Sequence, residues 1–284
     1  MGAIIGYIWS VFVLTLAQLA FLLGPGLVLA FLMNMVSKAV EIGGYTIFGR
    51  TWYLALFGWI GTVVHELGHA FFCIVFGHTI TDMNLFNPDP NSGSLGYVNH
   101  TYDPNSSYQM IGNFFIGIGP VLFGSALIIW LSSYLINPNL SFEYNIQSFD
   151  SVEIGSFGGI AILVKGIFSS AKELMGQVFS LSNLVSIKFY IFLYLTFAIG
   201  SSITLSPPDL EGASLGFGAL LGTLFAINFV TKWIGSFVSS GFLWVAKYVS
   251  VFYAVMLVAI ILNLIAAAVF LVIPVAGKRI IANA

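Results

Sequence analysis

Trp52-Tyr-Leu-Ala-Leu-Phe-Gly-Trp-Ile-Gly-Thr-Val-Val-His65-Glu66-Leu67-Gly68-His69-Ala-Phe-Phe-Cys73-Ile-Val-Phe76 is the stretch on which the reading of this chain turns. It is apolar enough to predict a membrane-crossing helix, yet it carries two His and a Glu. His65 and His69 stand four residues apart, so a helix presents both imidazoles on one face, where both can bind one Zn²⁺. Glu66 between them is then placed as general base toward a metal-bound water. With four His and six Glu in the chain, chance gives HExxH in about one such sequence per thousand. Buried in lipid, the three polar groups also cost free energy that a functional role would justify. The plainer reading is a pair of structural His hydrogen-bonded to neighbouring helices.

Composition supports the membrane reading without the motif. Charged residues make up 7%, hydrophobic residues 58%, and the mean hydropathy is +0.98; soluble domains average about 25% charged. A net charge of −2 with scattered Lys and Arg excludes a nucleic-acid footprint. The one cysteine, Cys73, cannot form an intramolecular disulfide. It shares the His69 face of the helix, where a small apolar residue packs more readily than it ligates. The N-terminal apolar run lacks a basic leader and is too long for a cleaved signal, so it reads as a retained membrane segment.

Six spanning segments are predicted: Ile4 to Met35, interrupted at Gly24-Pro25-Gly26; the motif segment; Met110 to Leu135; Leu184 to Thr204; Ser214 to Val230; and Val249 to Val272. Lys38, Glu41 and Arg50 fall in a short loop between the first two. Residues 79–108 are polar and turn-rich, predicting a β-hairpin at the membrane surface. Residues 150–182, with Lys165, Lys172 and Glu173 among apolar residues, predict an interfacial amphipathic helix, and 231–250 a second one. The fold class is therefore an all-α polytopic membrane protein with about six transmembrane helices and a small surface β-hairpin. Residues 1–284 form one integral domain. Gly61 and Gly68 flank His65 and would admit a neighbouring helix; Gly112, Gly117 and Gly119 would let helices separate to admit water.

A hydrolytic zinc site takes three protein ligands. His78 and His100 do not fit an extended HExxHxxGxxH, because Phe72 and Val75 occupy the required positions. Asp89 lies in a surface turn between two prolines. Ser206-Pro207-Pro208-Asp209-Leu210-Glu211-Gly212 is the better source, since prolines present acids from a broken backbone that a membrane tolerates only beside protein or a cavity. Asp209 is the preferred ligand and Glu211 the alternative. Read structurally, Asp209 caps the next helix and Glu211 sits in its first turn.

Taken together, His65-Glu66-Leu67-Gly68-His69, Gly119-Pro120 and Pro207-Pro208-Asp209-Leu210-Glu211-Gly212 resemble the three motifs of the site-2 protease family of intramembrane zinc metalloproteases. The resemblance implies a metalloprotease core over 51–230. His65, His69 and Asp209 would be the Zn²⁺ ligands and Glu66 the catalytic base. The hairpin would pair with an extended substrate. The partners it implies are the transmembrane segment of a membrane-protein substrate and the lipid bilayer, in a multi-pass protein of the cell membrane. The chain departs from the family's Asn-x-x-Pro-x-Pro-x-Leu-Asp-Gly: the Asn is missing and the end reads Asp209-Leu-Glu-Gly. Aligning on Leu-x-Gly would make Glu211 the ligand; aligning on Pro-Asp selects Asp209. Lys and Arg counts put the loops at 36–51, 137–188 and 231–248 in the cytoplasm, whereas the resemblance turns the catalytic side toward it. The rival readings are a non-catalytic membrane protein (a degenerate relative or a small permease) and a prenyl-protein protease with a Glu ligand.

Overall fold

The computed structural model describes residues 2–88, 94–137, 157–232 and 237–282. The protein is mostly helical with one two-stranded antiparallel sheet. Three helical stretches among the described residues are long and apolar enough to cross a membrane, or four if one bent pair counts as a single span.

The first stretch contains α1 (Gly2–Tyr53), a π-helical turn at Leu54–Gly58 and α2 (Trp59–Val75). The expected interruption at Gly24–Gly26 does not occur, and Pro25 is accommodated within the helix. The break falls instead at Gly49, whose φ of 73° and ψ of 156° leave the helical region, a conformation that only glycine adopts without strain. Nor do Lys38, Glu41 and Arg50 lie in a loop. All three are helical, and Asn34, Ser37, Lys38 and Glu41 form a polar stripe at helical spacing on α1.

At its other end α2 stops in a Schellman arrangement: the His78 N–H donates to Cys73 O (2.8 Å) and Gly77 N–H to Ile74 O (3.2 Å). Gly77, at φ 70°, supplies the left-handed residue that this ending requires. Strands β1 (Thr79–Asn84) and β2 (Tyr97–Thr101) follow, antiparallel, with Ile80 opposite His100 and an irregularity between Ile80 and Asp82. The expected hairpin is present, although Asp89 lies outside the described residues.

The predicted third span is two helices. α3 (Ser107–Gly117) and α4 (Gly119–Leu135) meet at a bend of 62°. Pro120 in the first turn of α4 is the physical cause: it has no N–H to continue the α3 ladder, and its ring is tolerated only at a helix start. α5 (Phe157–Val178) is amphipathic as expected, burying Leu163, Ile167, Ala171, Leu174 and Val178 against the last helix while Lys165, Lys172 and Glu173 face outward. The part of that segment at 150–156 lies outside the described residues. After a single turn, α6 (Leu181–Leu184), comes α7 (Ile187–Gly200). At 14 residues α7 is about 21 Å long, against a hydrocarbon core of about 30 Å, so the predicted fourth span falls short of a membrane crossing. It packs instead among α2, α4 and the last helix.

α8 (Pro207–Thr231) and α9 (Phe237–Ala282) complete the chain. The described part of the predicted second interfacial segment is continuous with α9, whose apolar span is Tyr248–Val272. α9 lies against α1, and the core runs between them through Met33, Val36, Val40, Ala254, Val255 and Ala259.

Glycines fix how closely the central helices approach. Gly61 of α2 abuts Ala198 and Ser202, and a Cβ on Gly68 would stand 2.8 Å from Pro120 Cα. Both were expected to admit a neighbour, and both do. Gly112, Gly117 and Gly119 were expected to loosen the third segment. They are contact points instead, against Phe76 and His78, Asp209 and Ala213, and Gly68 and Phe72 respectively.

Candidate metal centre

Two helices bring the donors together, and α3 and the turn after α7 orient them. His65 and His69 lie one turn apart on α2, and Asp209 lies in the first turn of α8. His69 Nε2 is 3.1 Å from Asp209 Oδ1, His65 Nε2 is 3.6 Å from Asp209 Oδ2, and the two Nε2 atoms are 3.2 Å apart. Among the described residues this is the one group of three or more His, Cys, Asp or Glu side chains close enough to hold a metal ion, its donor atoms lying within 4.8 Å of one another.

The other ring nitrogens set the tautomers. His65 Nδ1 lies 2.9 Å from Ser202 O, and His69 Nδ1 lies 2.8 Å from Ile116 O. A carbonyl only accepts, so each Nδ1 carries a proton, and in the neutral ring each Nε2 is then the lone-pair nitrogen turned toward Asp209. With both rings neutral, two lone pairs and a carboxylate converge, an arrangement that a proton on one imidazole or a metal ion among the three relieves. Two ligands about 2.05 Å from a tetrahedral zinc stand about 3.3 Å apart; the two Nε2 atoms, at 3.2 Å, match that spacing, and each has an oxygen of the Asp209 carboxylate near it, Oδ1 for His69 and Oδ2 for His65. The donor set therefore fits zinc.

Asp209 is fixed in this position as the third residue of α8. Ser206 caps α8, accepting from Asp209 N–H at 3.4 Å, while Ser206 N–H donates to Asp209 Oδ2 at 2.7 Å. This reciprocal capping box fixes the carboxylate, and Pro207 at the helix start rigidifies the approach. Ser206, rather than Asp209, is thus the cap. Glu211, expected in the first turn of α8, lies just beyond it and is exposed and outside the donor group.

Glu66 is buried beside its neighbouring His and lines the same cavity, of about 910 Å³, as His65, His69 and Asp209. Gly96, the residue before β2 of the hairpin, lies against it, so that a Cβ there would stand 2.8 Å from Glu66 Cγ. The Asn34, Ser37, Lys38 and Glu41 stripe of α1 also lines the cavity. Sequence reasoning missed this stripe by reading it as a loop, although its spacing was the available signal.

His78 and His100 are not in the donor group; they pair with each other. His78 Nε2–H donates to Gln109 O (2.8 Å), so His78 Nδ1 accepts from His100 Nδ1 at 3.0 Å. This fastens the hairpin to the start of α3, and Tyr102 stacks on the His78 ring. Burial, followed by the fields of His78 and His69, lowers the pKa of His100 below its ordinary value. Cys73 is fully buried and free, as expected of a packing residue.

The backbone carbonyls of Ser202 and Ile116, which orient both imidazoles, carry no signature in a sequence. Neither does Gly96. No family model, no curated protein and no solved structure matches the chain.

Proposed function

We propose that this chain is a zinc-dependent endopeptidase of the membrane, a divergent relative of the site-2 proteases, that hydrolyses peptide bonds in or near transmembrane segments. One observation carries the reading: two imidazoles and a carboxylate from distant parts of the chain converge, carbonyls hold both rings with Nε2 toward the carboxylate, and a buried glutamate lines the same cavity.

Zinc held by His65, His69 and Asp209 would supply a water of lowered pKa and a polarised scissile carbonyl. The chain's own residues do the rest. Glu66 accepts the proton of the attacking water on a carboxylate oxygen and delivers it to the departing amine nitrogen as the C–N bond breaks. Ser202 O and Ile116 O keep the imidazoles from turning. The hairpin beside Glu66 offers strand edges to an extended polypeptide, and the polar stripe of α1 keeps an unwound backbone hydrated. A multi-pass arrangement follows, in which α1, α2, the α3–α4 pair, α8 and α9 pass through lipid and the short α7 is held among them. The hairpin then lies at the headgroup level.

The test is zinc content and proteolysis of the detergent-purified chain. One zinc per chain is expected, together with cleavage of an extended protein such as casein. Glu66→Gln should retain zinc and lose cleavage by at least a thousandfold, about 4 kcal/mol of transition-state stabilisation. Well-folded protein with no bound transition metal would overturn the proposal. Zinc-loaded wild type with no peptidase activity would leave a metal-binding, non-catalytic membrane protein.

A further inference from the structure

The three donor side chains of the metal centre are each held by a polar bond. His65 and His69 are fixed by Ser202 O and Ile116 O, and Asp209 Oδ2 by the Ser206 N–H. Glu66 differs. Among the described residues its carboxylate has no hydrogen-bond or ion-pair partner, although the residue is 7% exposed and lines the cavity. Turning a glutamate χ1 between staggered wells carries its carboxylate through several ångströms. A general base works only within hydrogen-bond reach of its proton, so packing has to select the rotamer.

Gly96 supplies that packing. A Cβ there would stand 2.8 Å from Glu66 Cγ. Adding one C–C bond of about 1.5 Å places Gly96 Cα no further than about 4.3 Å from that methylene. The same Cβ would stand 2.9 Å from Asn84 O and 3.0 Å from Leu85 O, so Gly96 is wedged between the glutamate and the outgoing arm of the hairpin. That arm does not yield easily. Asn87 N–H donates to Leu95 O at 2.7 Å, joining the two arms, and Phe86 and Leu95 both pack against the buried core. The base of the hairpin is tied down by the His78–His100 pair and its bond to Gln109 O. Of the three atoms crowding Gly96, two are backbone carbonyls held in this way, and the third belongs to the flexible Glu66 side chain.

We propose that Gly96 is a positioning residue for the general base: its bare main chain selects the Glu66 rotamer that presents the carboxylate to the metal-bound water. The assignment rests on the endopeptidase reading above. It gives the hairpin a part in the chemistry besides pairing with substrate, because the base is competent only while the hairpin is seated beside α2. No zinc-binding pattern indicates Gly96, which stands 30 positions beyond Glu66 in the chain.

The experiment is a double-mutant cycle of Gly96→Ala in wild-type and Glu66→Ala backgrounds. Zinc content, thermal midpoint and the affinity of a dipeptide hydroxamate are read in all four proteins; kcat and KM on casein are read where cleavage persists. The hydroxamate chelates the metal and shares its hydroxyl proton with the nearest carboxylate, so it reports where Glu66 stands. Gly96→Ala alone should keep one zinc per chain, lower kcat about a hundredfold at a KM within threefold, and weaken hydroxamate binding about tenfold. With Glu66→Ala, where no Cγ remains to be displaced, the same change should alter hydroxamate affinity by less than about twofold and cost less in thermal midpoint. Equal losses in the two backgrounds would overturn the assignment, as would kcat and hydroxamate affinity within twofold of wild type in folded, zinc-loaded Gly96→Ala. Failure of Gly96→Ala to fold supports the contact if Glu66→Ala restores folding, and marks Gly96 as merely structural if it does not. Wild type that holds zinc and fails to cleave casein refutes the peptidase reading, and the hydroxamate cycle then decides the Gly96 contact by itself. Wild type without metal removes both.

Discussion

Gly68→Ala is the sharpest test of how the site is built, because it adds one methyl group and touches no ligand. The new Cβ would stand 2.8 Å from Cα and N of Pro120 and 2.9 Å from Gly119 C. These are backbone atoms at the start of α4, and they cannot rotate away. Restoring ordinary contact requires α2 and the α3–α4 bend to part by about 0.6 Å. Overpacking of this kind costs about 1–3 kcal/mol. The same displacement stretches the 2.8 Å bond from His69 Nδ1 to Ile116 O toward about 3.4 Å, past the useful range for N–H···O. Loss of such an orienting bond weakens metal affinity about 10–100-fold. The assay is thermal unfolding in detergent together with zinc affinity by competition against a chelator. Gly222→Ala on α8 is the control: nothing lies within 4 Å of its added Cβ, and replacing a helical glycine there should be neutral or stabilising by up to about 1 kcal/mol. Wild-type midpoint and zinc affinity in Gly68→Ala, beside a neutral Gly222→Ala, would refute the claim that this glycine contact sets the position of His69.

Two further outcomes follow from the same geometry. Asp209→Ala should lose nearly all bound zinc, whereas Glu211→Gln should keep it, since only Asp209 meets both imidazoles; metal analysis of purified variants decides, and zinc loss confined to the Glu211 variant would reverse the ligand assignment. The hairpin should loosen in acid. The pKa of His100 lies below its ordinary 6.5, so in the window beneath pH 6.5 the unfolded chain binds more protons than the folded one, and the stabilisation that is full at higher pH is lost as pH falls. Amide exchange in β1 and β2, corrected for intrinsic rates, should quicken from pH 7.5 to 5.5 and lose that dependence in His100→Gln; an unchanged dependence in the variant would assign the effect elsewhere.

Much of the site was legible because its chemistry is local. His65, Glu66 and His69 need only a helix, and the Asp209 position announced itself through prolines that no membrane helix keeps without reason. The hairpin was legible from its turn residues, and α5 from its apolar stripe. What stayed hidden depends on contacts between distant segments. Helix periodicity gives no account of a bend such as the one at Ile118, because Gly119-Pro120 reads equally well as a kink inside one span. α1 was divided too early, since Gly24-Pro25-Gly26 looks like a break and Lys38 with Glu41 looks like a loop. Their polarity makes sense only once a cavity is known to lie beside them. The four-residue spacing of Asn34, Lys38 and the residues around them was visible; the reason for it was not.

The separation of the donor residues along the chain bears on how such a protein is made. His69 and Asp209 are about 140 residues apart, so at ordinary elongation rates roughly 7–30 seconds pass between their syntheses. Throughout that interval the nascent chain holds two imidazoles but no third donor, and Ser202, which orients the first of them, is also yet to emerge. On the proposed reading the chain is therefore inert until α7 has docked and α8 has entered, so that its competence to cut arrives only after most of the fold has been made.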